Sequence, residues 1–206
     1  MKFDYIIIGA GSAGCVLSNR LSEDQNNKVA VFEAGGPSNI WKVKMPLALL
    51  YTMHDPKYNW KYYSEPEPHL NNRRLFCPRG KMIGGCSAHN GMVFVRGNRN
   101  DYERWENFGL KSWSYEKILP YFKKIENWSG GENQFRGSFG PLPINQSKND
   151  NPLFKAFINA ASEAGHANNP DMNGEYQEGF GMFDTTIHNG ERASTTKYYL
   201  NPAKKR

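Results

Sequence analysis

Apolar positions along the chain come in short runs separated by long polar stretches. Phe3-Asp4-Tyr5-Ile6-Ile7-Ile8 is mostly apolar and β-branched, the pattern of a buried strand. It passes directly into Gly9-Ala10-Gly11-Ser12-Ala13-Gly14 and a helical pattern from about Ser12 to Glu23, with Val16, Leu17 and Leu21 on one face. Polar residues 22–27 follow, and Lys28-Val29-Ala30-Val31-Phe32 makes a second strand that ends at Glu33. Strand, helix and strand in this order predict an α/β fold opening with a parallel βαβ unit.

Beyond Ala34-Gly35-Gly36-Pro37 the regular alternation is interrupted. Met45 to Leu50 predicts one or two helical turns opened by Pro46, and Tyr58, Trp60, Tyr62 and Tyr63 predict an extended, partly buried segment. An aromatic cluster of this kind can cage a quaternary ammonium, but mutual packing is the simpler reading. Asn71-Asn72 reads as a turn into a strand at Arg73–Cys77. Helices follow from Asn100 to near Gly109 and from Ser114, whose apolar side is Ile118, Leu119, Tyr121, Phe122 and Ile125, with a kink at Pro120. Leu142 to Asn145 is a short strand. Asn151-Pro152 caps a helix with Leu153, Phe154, Phe157, Ile158 and Ala161 inward, ended by Gly165. A strand over Gly179–Ile187, an Asn189-Gly190 hairpin turn and a short helix capped by Ser194 complete the pattern. His166 and His188 read as loop residues.

Composition narrows the classes. With 38% hydrophobic and 14% aromatic residues the 206-residue chain can build a core, while 20 glycines and 12 prolines imply long connections. The net charge of +6 is half accounted for by Lys204-Lys205-Arg206, and no basic stripe interleaved with aromatics recurs, so nucleic acid is not the expected partner. Cys15, Cys77 and Cys86 lack metal-ligand or disulfide spacing, which predicts reduced thiols and no metal site. The first strand begins within a few residues of Met1 and no run reaches membrane-spanning length. A soluble, cytoplasmic protein is expected.

The candidate chemistry lies in two glycine-rich turns. In Gly9-x-Gly11-x-x-Gly14 the first glycine takes the tight turn, the second lets backbone approach a pyrophosphate and the third lets helix pack on strand. The helix then directs the N–H groups around Ser12 and Ala13 at the phosphates. Glu33, with Ala34 beside it, falls about 20 positions beyond the third glycine, where a carboxylate accepts from ribose hydroxyls and disfavours a 2′-phosphate. That selects FAD or NAD over NADP. The second turn, Gly84-Gly85-Cys86-Ser87-Ala88-His89-Asn90-Gly91-Met92-Val93, exposes several N–H donors and lets backbone approach a flat or phosphorylated ligand.

The stretch from Gly80 to Gly97 resembles the first signature of the glucose-methanol-choline (GMC) oxidoreductases, a family of FAD enzymes that oxidise alcohols. It departs from the common pattern at Cys86, usually Gly, Ser or Thr, and at His89, usually aliphatic. Gly-Gly-Cys-Ser-Ala-His-Asn is similar to the form in a choline-oxidising member whose histidine is covalently joined to the flavin. Asp101-Tyr102-Glu103-Arg104-Trp105, Leu119-Pro120-Tyr121-Phe122, Asp171-Met172-Asn173-Gly174 and Gln177-Glu178-Gly179-Phe180-Gly181 extend the likeness to the choline-oxidising branch.

The resemblance implies a Rossmann-type FAD-binding fold, incomplete, with a βαβ core at 1–36, a flavin-contacting insertion at 37–150 and the start of a substrate-binding part at 151–206. It implies FAD held by Gly9, Gly11, Ser12, Ala13, Gly14, Glu33, Ala34, Gly84, Gly85, Cys86, Ser87, His89, Asn90, Gly91, Met92 and Val93, with His89 a candidate for covalent linkage. The substrate would be an alcohol such as choline, oxidised to the aldehyde by hydride transfer to flavin N5. The electron acceptor is left open. The family's proton-accepting histidine lies in a C-terminal part that nothing here matches, so no catalytic residue is expected and the chain alone should turn over little alcohol. A non-catalytic FAD-binding module and an NAD-dependent Rossmann dehydrogenase are the alternatives.

Overall fold

In the computed structural model, which describes residues 2–206, the opening βαβ unit is present. Strand β1 (Tyr5–Ile8) and strand β2 (Val29–Phe32) pair in parallel, Ile6 opposite Ala30 and Ile8 opposite Phe32, joined by helix α1 (Ser12–Leu21). The helix buries a different face from the one its largest apolar residues predict. Gly14, Cys15, Ser18 and Asn19 are inward and Leu17 is half exposed. Close approach is the reason: a Cβ on Gly14 would stand 1.9 Å from the Gly9 carbonyl oxygen, so only small or hydrogen-bonded side chains fit beside it. Ser18 Oγ bonds the Gly14 carbonyl at 2.5 Å, and Asn19 Nδ2 donates to the Tyr199 carbonyl at 2.8 Å.

The described residues form two compact units, one running to Met92 and completed by Asn189–Arg206, the other Val93–His188. In the first, helix α2 (Trp41–Lys44), a 3-10 turn at Pro46–Ala48 and helix α3 (Leu49–His54) follow the βαβ unit. Val43, Tyr58, Met82 and Ala88 pack as a core with Ile40 against it, and burying a side chain such as Met82 contributes about 1.5–3 kcal/mol. The predicted aromatic segment is mostly outside. Tyr58 is buried, but Trp60, Tyr62 and Tyr63 are exposed because strand β3 (Tyr62–Tyr63) pairs only with the two-residue β4 (Phe76–Cys77). They pack on one another instead, Trp60 stacked on Tyr62 and Tyr63 tilted against Phe76, with Lys81 Nζ 4.8 Å from the Trp60 ring centre. The strand predicted at Arg73–Cys77 is thus shorter, after a turn in which Asn71 and Asn72 both have positive φ. In the closing segment Asn189 and Gly190 have φ of 52° and 75°, as an Asn-Gly turn requires, and Thr196–Leu200 winds as a wide π-type turn into Asn201–Ala203.

The second unit contains β5 (Val93–Phe94), α4 (Arg99–Asn107), α5 (Tyr115–Ile125), β6 (Glu126–Trp128), β7 (Leu142–Ile144), α6 (Pro152–Glu163), β8 (Asp184–Thr185) and β9 (Ile187–His188). A capping box starts α4: Asn98 Oδ1 accepts from Asn100 N at 3.0 Å and Asp101 from Asn98 N at 3.1 Å. Tyr102, Tyr115 and Ile118 form a core between α4 and α5, with Leu119 and Phe122 against it, while Tyr121 is exposed. Asn151 caps α6 as predicted, accepting from Leu153 N at 2.9 Å. Its expected apolar face is not buried: Leu153 is 79% and Phe157 58% exposed, and only Ala161 is inside. The strand expected over Gly179–Ile187 is reduced to β8 and β9.

Glu126 and Arg136, both fully buried, form the centre of this unit. Arg136 reaches Glu126 at 3.1 Å, Asp184 at 2.7 Å and Asp171 at 2.5 Å, lies 4.1 Å from the Trp128 ring centre, and shares Glu126 with Arg96 through a short ion pair. Each charge has an opposite partner in place of water.

Candidate functional site

The two glycine-rich turns meet in the first unit. Gly84 N donates to the Ala10 carbonyl at 2.6 Å, and a Cβ on Gly85, whose φ is +50°, would lie 2.8 Å from Gly11 Cα. Backbone touches backbone there, so the second turn tolerates no side chain at Gly85. Beside the contact is an open groove of about 560 Å³ lined by Ile8, Gly9, Gly11, Phe32, Glu33, Ala34, Trp60, Gly80 and Gly85. It lies at the carboxyl ends of the parallel strands β1 and β2, where α/β sheets bind ligands. Of the residues predicted to hold a nucleotide, Gly9, Gly11, Glu33, Ala34 and Gly85 line it. Ser12 and Ala13 are exposed at the first turn of α1, and Gly14 supports the turn from beneath.

Glu33 Oε2 accepts from Ala10 N at 2.7 Å and its Oε1 from Gly35 N at 2.8 Å, which ties the end of β2 to the first turn. A carboxylate oxygen takes more than one hydrogen bond, so acceptor capacity remains for a ribose.

The remaining candidates follow Gly85. Ser87 Oγ bonds the Gly84 carbonyl at 2.7 Å and Thr195 Oγ1 at 2.8 Å, and accepts from Thr195 N at 3.1 Å. Cys86 is half-buried, and its carbonyl accepts from the N–H groups of His89 and Asn90. His89 is buried with Nδ1 unpartnered, and burial, reinforced by the charges of Arg192 and Arg79, holds its imidazole below the usual histidine range. Asn90 and Gly91 are exposed, and Met92 is buried with a positive φ of 60°. Val93 belongs to the second unit and is half exposed. Trp60, Gly80, Arg192 and Thr195 were not among the predicted residues. Gly80 carried a signal, since it opens the second turn, and a Cβ there would lie 2.3 Å from the Gly85 carbonyl oxygen.

Among the described residues no cluster of His, Cys, Asp and Glu is arranged to hold a metal ion, and no helix is long and apolar enough to cross a membrane. All three cysteines are free.

A parallel strand pair whose carboxyl ends face two converging glycine turns defines a nucleotide-binding α/β protein. The chain belongs to the GMC oxidoreductase family, whose model matches residues 3–206. Among its relatives are the oxygen-dependent choline dehydrogenases of Sinorhizobium fredii (strain NGR234), 52% identical over all of this chain and 38% of the relative, and of Vibrio vulnificus (strain YJ016), 50% identical over 99% of this chain and 37% of the relative. The chain therefore spans less than two-fifths of the length of the curated relatives it matches. The crystal structure of pyridoxine 4-oxidase from Mesorbium loti superposes with a TM-score of 0.90 at 31% identity, over 97% of this chain and 39% of that one.

Proposed function

We propose that this chain is the FAD-binding portion of an alcohol oxidoreductase, with choline, named in its relatives, as the alcohol. The observation that carries this reading is the backbone contact between Gly84-Gly85 and Ala10-Gly11 beside the groove that Glu33 and Ala34 line. The cradle fits the cofactor: Gly9 and Gly11 have nothing within 4 Å of where a Cβ would stand, and a buried imidazole nitrogen of His89 lies unpartnered in the second turn. In this reading Gly9, Gly11, Ser12, Ala13 and Gly14 form the pyrophosphate turn, Glu33 and Ala34 take the adenosine ribose, and the segment from Gly84 to Met92 serves the flavin side. When bound, FAD supplies the acceptor for the hydride that leaves the alcohol carbon. His89, kept neutral by burial, is the residue for a covalent link to the flavin.

Titration of the purified chain followed by flavin fluorescence tests the reading. Saturable quenching by FAD and no competition by NAD is the expected result, and binding of NAD alone removes it. Gly85→Ala, which drives a Cβ into Gly11, should weaken FAD binding at least about tenfold, or about 1.4 kcal/mol. Acid precipitation after incubation with FAD separates the linkage from simple binding: yellow pellet supports the bond at His89, and colour wholly in the supernatant excludes it. Turnover of choline by the 206-residue chain is expected to be slight.

A further inference from the structure

Arg192 is a buried cation for which burial is the one influence on its guanidinium, drawing it down to about 10. Its acceptors are all neutral. Nε donates to the Val43 carbonyl at 3.0 Å, while Nη1 donates to the Asn90 carbonyl at 2.7 Å, to Asn90 Oδ1 at 2.9 Å and, more weakly, to the Ser87 carbonyl at 3.4 Å. Nη2 has no partner. Burying a charge without a counter-charge is costly, which makes its contacts informative. A guanidinium can only donate, so whatever faces it must be an acceptor.

Asn90 Oδ1 accepts a second bond, from Met92 N at 3.1 Å. That bond closes the turn in which Met92 holds a left-handed φ of 60°, a conformation a side-chain-bearing residue keeps only when its surroundings fix it. Two donors on one oxygen settle which end of the amide Arg192 and the Met92 N–H hold, and the amide nitrogen takes no part in either bond.

We propose that Arg192 is a positioning residue that locks the Asn90 amide by its oxygen and so presents the amide NH2 as a hydrogen-bond donor to an acceptor atom of the flavin ring. The recipient rests on the FAD reading above; the lock does not. Lysine cannot replace it fully, because the guanidinium fork spans Val43 and Asn90 at once.

Hydrogen exchange of the chain without added flavin tests the lock. Arg192→Met and Asn90→Ala should each speed exchange at the Met92 amide about tenfold or more, and the double variant should add little to either. Unchanged Met92 exchange in Arg192→Met, or fully additive effects, overturns the proposal. Should Arg192→Met lose its circular dichroism, Arg192→Lys carries the comparison, with intermediate exchange expected and wild-type exchange overturning it. Asn90→Asp replaces the donor by an acceptor: weaker FAD binding and a shifted flavin absorption band are expected, and an unaltered band and affinity overturn the donor role. Failure of the parent chain to bind FAD would remove the flavin reading, while exchange at Met92 would still decide the lock.

Discussion

At the scale of single residues, His89 illustrates how an environment sets a protonation state. Its folded pKa lies below 6.5, through burial first and the neighbouring positive charges of Arg192 and Arg79 second. The unfolded chain therefore binds the proton more readily, so stability is intact above about pH 6.5 and falls as pH drops below it. Urea midpoints between pH 7.5 and 5 should decline in the parent and decline less in His89→Gln; equal slopes would show that the imidazole does not titrate with folding. Backbone chemistry dictates glycine where a Cβ would meet backbone, as at Gly14 and Gly85, and the spacing of the two turns marks both positions. Arg192 is out of reach of any such spacing, since it lies 102 positions from the Asn90 it holds and no local pattern signals a long-range bond from a donor to a carbonyl.

Among the elements, caps and turns were legible and burial was not. Asn151 and Asn189-Gly190 act through neighbours in sequence, so their roles follow from spacing, whereas the Asn98 cap is not named by the sequence pattern and Ser114 opens α5 without a side-chain cap bond. The inward face of α1 is governed instead by how closely the Gly9 turn can be approached, and size overrides hydrophobicity there. The Glu126–Arg136 cluster likewise assembles from β6, the following loop, residue 171 and β8, and no short motif announces it. Removing the Glu126 charge leaves Arg96 buried without its ion-pair partner while Arg136 keeps Asp171 and Asp184, so Glu126→Gln should destabilise the second unit by about 3–5 kcal/mol. Urea unfolding followed by Trp128 fluorescence measures it, and a loss under about 1 kcal/mol would mean that the remaining carboxylates compensate.

For the whole molecule, the parallel order of β1 and β2 and the α/β class followed from the sequence, but the amount of apolar surface left outside did not. Strands of a parallel sheet are normally covered on both faces, yet Ile6, Ile8 and Phe32 are 61%, 81% and 58% exposed, and α6 presents Leu153 and Phe157. Patches of this kind bind hydrophobic dyes and drive association. The chain should enhance the fluorescence of anilinonaphthalene sulfonate, and Leu153→Gln with Phe157→Gln should reduce both that signal and light scattering without changing circular dichroism. No reduction would place the sticky surface elsewhere, with the strand pair the next to alter.

The bond from Asn19 to the Tyr199 carbonyl joins residues 180 positions apart within one unit. On a ribosome the βαβ unit emerges well before Tyr199 and cannot make this contact until about 180 further residues have been translated, on the order of ten seconds later at ordinary elongation rates. Throughout that interval the nascent α1 keeps its small-residue side uncovered, and the first unit can close only after residues 93–188 of the second have been made.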